Sequence, residues 1–343
     1  MENHQRRSTW RRISGIGISL VLFTNPNPCV ADEDSILWTA RWNHEGSRFA
    51  VGGENVLWEF DSKTLEKKSL LGYLEQEPDE GWDDPYMAVT RIAWHPNDRF
   101  LAISSQGRDI NAIFDVQSKE RTLLAPLAVE FGRGISWSPD GTQVAYTMDD
   151  RLRIAKVDGS ILYDIPRYKD AKGLTSVEWR PNGDRMVTLG ARITLHDAQG
   201  QPMKQVTHRP EAEDGDQLLL SAAWHPSGEF FVVGDYGTEV DDPVLQFWSA
   251  EATLIRSIPL HGDAEVRDVS WNHDGTRLAT ASSKLQVWSQ EGALLHAAEA
   301  PDLLWGVDWN PGGDRILTSS IDRRVTLWSA DARLVTEVVA PEE

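Results

Sequence analysis

Fourteen carboxylates fall in three short stretches of this chain, against a single base. Glu75, Glu77, Asp79, Glu80, Asp83 and Asp84 make the first. Glu211, Glu213, Asp214 and Asp216 make the second, Asp235, Glu239, Asp241 and Asp242 the third, and Arg209 is the base. Acids at this density can draw in a basic protein surface through a shared field. They can also hold a hard cation such as calcium, which wants clustered oxygen ligands. Asp214-Gly215-Asp216 and Asp241-Asp242 come nearest to a cation loop, but neither has fixed ligand spacing, and no metal is assigned. Trp82 and Tyr86 lie inside the first stretch. An aromatic anchor within a charged rim is how protein-binding hot spots are built; packing back onto a sheet edge is the other role open to Trp82.

Other chemistries find no constellation. The chain has no Gly-x-Ser-x-Gly, no His-Glu-x-x-His and no phosphate-cradling glycine loop. Cys29 is its one cysteine, so no disulfide framework is available. Of the nine histidines, His44, His95, His225 and His273 recur in one kind of turn, which points to a structural role. No catalytic residue and no cofactor is expected. The formal charge is −19; residues 1–31 hold four Arg and one Glu, +3, leaving −22 on the rest. Such a surface repels phosphate backbones, so nucleic acid is not an expected partner.

The elements that position these acids are legible as a repeat. Seven segments end a short apolar strand on tryptophan and then turn: at Trp42, Trp94, Trp137, Trp179, Trp224, Trp271 and Trp309, as in Ser136-Trp137-Ser138-Pro139-Asp140-Gly141. Proline presets φ in such a turn, and Gly or Asn supplies its left-handed position. The anchors are 52, 43, 42, 45, 47 and 38 residues apart. Periods near 40–45 with four short strands per unit belong to β-propellers. Third strands end at Trp58, Trp248, Trp288 and Trp328. The chain therefore reads as all-β, a seven-bladed propeller of four-stranded antiparallel blades over 32–343, with blades near 35–74, 87–125, 131–167, 174–208, 217–260, 264–299 and 303–340.

The turn motif, repeated seven times, resembles the WD40 repeat family. The third strands end in Trp58-Glu59, Trp248-Ser249, Trp288-Ser289 and Trp328-Ser329 where the family has Trp-Asp. The family's Gly-His dipeptide is also missing; blade 6 has His261-Gly262 instead. The family's Asp-His-Ser-Trp hydrogen-bond network is thus incomplete, with Asp322 as a remnant. The resemblance implies a rigid disk that binds protein partners.

Each blade is expected to be contiguous, with no N-terminal strand closing the last one. The seam between blades 7 and 1 would then rest on side chains. Trp38 and Trp305 stand four residues before their anchors in those two blades and fit that packing role; lining the channel mouth is the alternative. Arg133 and Arg267 share this register in blades 3 and 6. They would put positive spots at the mouth, or pair with nearby acids. Turns between strands one and two and between three and four are short, while all three acidic stretches fall in the other connections, which share a face. The expected function is a non-enzymatic scaffold whose acidic face meets a protein partner, possibly a basic one. The alternatives are a hydrolase or lactonase acting at the channel mouth, or a calcium-binding module. An enzyme would need several inward acids on the first strands. These instead show Ala40, Ile92, Ile135, Val177, Ala222, Val269 and Val307 two before the anchor.

Residues 1–31 differ from the rest. Arg6, Arg7, Arg11 and Arg12 precede an apolar run from Ile13 to Phe23, then turn formers and Cys29-Val30-Ala31. This is the layout of a cleaved signal peptide, which predicts a periplasmic or secreted protein. An uncleaved or Cys29-lipidated form is the alternative. The apolar run is too short to span a bilayer.

Overall fold

The turn after each anchor tryptophan closes on one hydrogen bond. The N–H of Gly46, Gly141, Gly183, Gly228, Gly275 and Gly313 donates to the carbonyl three residues back, at 2.7 to 3.1 Å, with φ between 68° and 75°. Blade 2 departs from the expected Gly or Asn and puts Asp98 there, at φ 57°. An aspartate tolerates this conformation because its carboxylate is fully used. It accepts from Asn43 Nδ2 at 3.0 Å and from the backbone N–H groups of His44 and Glu45 at 2.9 Å. The turn of blade 1 is thereby stapled to the turn of blade 2.

The computed structural model describes residues 36–54, 56–70, 87–107, 111–124, 130–131, 133–148, 150–169, 173–209, 219–237, 242–263 and 265–339. The leader with Cys29, the acids at 75 to 84, Trp82, Tyr86, the acids at 211 to 216, Glu239 and Asp241 lie outside them. Seven sheets follow one another along the chain, each with its strands in sequence order, and no helix is present among the described residues. Their first strands are Leu37–Trp42, Met87–Trp94, Ile135–Trp137, Ser176–Trp179, Leu219–Trp224, Asp268–Trp271 and Leu304–Trp309. Each neighbours the first strands on both sides, and blade 7 comes back against blade 1. The result is a seven-bladed propeller. Blade 2 carries one addition, the short strand Glu130–Phe131, which pairs with Gln106 and Gly107 on its second strand.

The blades are held by seven apolar slabs, one per interface. This is the packing logic of repeat proteins, in which each unit buries its face only against a neighbour. All seven anchor tryptophans are buried. Three of them also donate their indole N–H to the preceding blade: Trp94 to Arg41 O, Trp137 to Ala93 O and Trp224 to Glu178 O, at 3.0 to 3.2 Å. The turn histidines work in the same way. His95 Nε2 lies 2.9 Å from Gly141 O and His225 Nε2 3.0 Å from Gly275 O, each one blade on.

Among the described residues every blade is contiguous, and the outer strand of blade 7, Leu334–Val339, pairs only with its own third strand. Among the described residues no strand ladder crosses the seam. Phe49, Phe60 and Trp42 pack there against Leu317, Val325 and Leu327. Trp38 and Trp305 meet there with ring centroids 4.2 Å apart and planes tilted at 54°. The seam is not held by apolar side chains alone, because Trp42 N–H also donates to Asp308 Oδ2 at 2.8 Å.

Candidate functional site

Successive residues of a strand point to opposite sides. The residues two before each anchor, from Ala40 to Val307, are buried in the slabs, as expected. The residues one and three before the anchor must then face the channel. The expectation that the first strands carry no inward acids is corrected here, because those positions hold Arg41, Arg91, Glu178, Asp268 and Asp308.

These five groups form a network across the ring. Arg41 Nη2 donates to Asp268 Oδ2 at 2.7 Å, from blade 1 to blade 6. Arg91 of blade 2 donates to Asp268 Oδ1 at 2.8 Å and to Glu178 Oε1 of blade 4 at 3.1 Å. These bonds skip blades, which only a shared axis permits. Asp268 is closed to solvent and also accepts from Ser221 Oγ at 2.8 Å and Val307 N at 3.0 Å. Burial pushes its carboxyl up, but Arg41 and Arg91 with these donors reverse that and hold it at about 2. Glu178 and Asp308 go the other way: burial raises both, and the arginines only partly offset it.

The mouth lies one step further up. The first strands of blades 1, 2, 5 and 7 each slip register by a bulge at the fourth residue before the anchor. Bulges re-aim side chains, and these turn Trp38 and Trp305 toward the rim while Thr39 and Gly306 follow beneath. In blades 3 and 6 the strand starts later, so Arg133 and Arg267 come from the approaching loops. The structure brings all four together. The Arg267 guanidinium lies 3.5 Å from the Trp305 ring centroid and 5.9 Å from that of Tyr236. Arg133 lies 6.0 Å from that of Trp38. Arg267 also pairs with Glu265. Both roles weighed for the tryptophans, seam packing and mouth lining, are thus visible in one arrangement.

Asp242 stands apart from this cluster, 2.6 Å from His261 Nδ1. Asp235, the first acid of its stretch, is not a surface group. It is fully buried and accepts from Arg209 Nε at 2.6 Å and from Val244 N at 2.7 Å. It fixes the root of the loop. Asp322 is no remnant of the family network either: it accepts from Ser320 Oγ at 2.5 Å and Arg324 Nε at 2.7 Å. Among the described residues no three His, Asp or Glu side chains gather as a metal ion would require.

The WD domain, G-beta repeat family matches residues 252–289 and 292–329. Each match runs from the outer strand of one blade through the first three strands of the next. These two stretches are WD40 repeats, set in a seven-bladed propeller. Part of the family's internal network survives in these two repeats, as Trp288 Nε1 to Thr280 Oγ1 at 3.2 Å and Trp328 Nε1 to Thr318 Oγ1 at 2.9 Å. The chain is 24% identical over 280 residues to the THO complex subunit 3 of Arabidopsis thaliana, covering 79% of this chain and 82% of that one. It is 25% identical over 202 residues to Protein HIR1 of Cryptococcus neoformans, covering half of this chain and 22% of that protein. In fold it is similar to a chain from the crystal structure of the mitotic checkpoint complex, with TM-score 0.70 and 16% identity over 96% of this chain and 99% of that one.

Sequence reasoning missed Arg41, Arg91, Glu178, Asp268 and Asp308, together with Tyr236 and Glu265 at the rim. The signal for the first five was present. Strand alternation makes the residues one and three before each anchor inward ones, and five of the seven that stand one before are not apolar: Arg41, Ser136, Glu178, Ser270 and Asp308.

Proposed function

We propose that this WD40 propeller is a non-enzymatic docking platform that engages a protein partner on the loop-bearing face around the mouth. Asp79, Glu80, Asp83, Asp84, Asp214, Asp216, Asp241 and Asp242 would meet a basic surface, with Trp82 and Tyr86 as aromatic anchors. The observation that carries this reading is the state of the channel. Its inward acids and arginines are bonded to one another across the ring. Their chemistry holds blades together, so the groups left to meet another molecule are those at the mouth and in the loops. Loops on a rigid scaffold are where binding residues concentrate. Likeness to a protein described as a complex subunit supports the same reading.

The export signal is proposed with it: the mature chain would start at Asp32 and work outside the cytoplasm. Amino-terminal sequencing of the protein from the cell envelope tests this, and an intact Met1 terminus counts against it. For docking, the wild type and a variant carrying Asp79→Asn, Glu80→Gln, Asp83→Asn and Asp84→Asn are compared in pull-downs from that envelope. The variant is expected to lose its partner; recovery of the same partner by both rules out the role of that loop.

A further inference from the structure

We infer that the mouth seats one carboxylate of the partner between Arg133 and Arg267, against the Trp38–Trp305 pair. The inference rests on the docking reading above and sharpens it. A partner that is basic at its edge would present a single acid at the centre of its contact.

The charge count of the two levels points there. Within the channel, two guanidiniums face three carboxylates, Glu178, Asp268 and Asp308. At the mouth, among the described residues, two guanidiniums stand with one paired carboxylate, Glu265 bonded to Arg267. Arg133 has no carboxylate partner among the described residues; with the Gln106 amide turned oxygen-first, it donates there from Nε and Nη2 at 2.8 and 3.1 Å. The Arg267 side chain is nine-tenths buried, and its Nε has no acceptor among the described residues. A buried donor left unmade is costly, and more so on a charged group. Burial and the neighbouring Arg133 both disfavour its charge, with Glu265 and Tyr236 in opposition. The site is therefore rich in donors, positive, and short of one acceptor.

A carboxylate fits this site better than a phosphate. Guanidinium forks pair with either group. A chain of net charge −19 repels a dianion about twice as strongly as a single charge. The Trp305 ring, with Arg267 already 3.5 Å from its centroid, also offers a flat face to a planar ion pair.

The test uses the purified full chain, titrated at low salt with acetyl-Lys-Lys-Glu-Lys-Lys-amide, with the same peptide carrying Gln, and with inorganic phosphate, followed by tryptophan fluorescence and calorimetry. The Glu peptide is expected to bind about tenfold more tightly than the Gln peptide, one charge-assisted contact being worth about that factor. Arg133→Gln is expected to erase the difference and Arg133→Lys to restore part of it, with both variants melting like the wild type. Equal binding of the two peptides overturns the carboxylate while leaving the acidic docking face intact. Displacement of the Glu peptide by equimolar phosphate overturns it in favour of phosphate. If neither peptide binds, the docking reading falls and this inference with it.

Discussion

Replacing Asp268 with Asn tests whether the cross-ring network helps to close the propeller. The carboxylate is closed to solvent and receives both Arg41 and Arg91. Holding its carboxyl at about 2 instead of 3.8 corresponds to a preference for the charged form of about 2 kcal/mol. Breaking a buried ion pair from one side costs about 3 to 5 kcal/mol. Asp268 also repels Glu178 and Asp308 and raises both. Its loss relieves that repulsion, so the lower end applies, about 3 kcal/mol. In a domain of this size that lowers Tm by about 6 to 12 °C. The assay is thermal unfolding by circular dichroism. The pH sign follows from the lowered pKa: the contribution is present above the ordinary value near 4 and is lost as pH falls through about 2. The gap between wild type and Asp268→Asn should therefore persist from pH 5 to 8 and shrink toward pH 2. A variant melting within 2 °C of wild type at pH 7 would refute the reasoning.

Glu178→Gln should behave differently. Burial already disfavours its charge, so the substitution is expected to change stability by less than about 1 kcal/mol at pH 7 in the same melt. Gly141→Ala places a Cβ 2.5 Å from His95 Nε2 at φ 70°; a loss of about 2 to 3 kcal/mol is expected in urea unfolding, reduced when His95→Ala is added. His196 is buried, and burial lowers it to about 4 from 6.5. It stays neutral in the fold while the unfolded chain takes up the proton, so stability is lost as pH falls from 6.5 toward 4. Between pH 7.5 and 5 that amounts to about 2 kcal/mol, and His196→Gln should remove the difference in denaturant melts.

The sequence by itself determined the seven blades. Tryptophan, turn and second strand recur within each unit, and these are local properties: φ preferences, alternation and a run of apolar residues. It also determined that blades are contiguous, since the strand count comes out even from first anchor to last strand. Only the tertiary structure decided what the channel holds. Arg41 and Asp268 are 227 residues apart, and their strands read as ordinary ones. Ring closure puts them on one axis, where burial makes pairing obligatory. Trp38, Arg133, Arg267 and Trp305 show the boundary between the two. Their shared register could be read from the spacing to the anchor. That two bulges and two late-starting strands would swing them onto one rim, with Arg267 against the Trp305 ring, depends on backbone irregularities that no periodicity records.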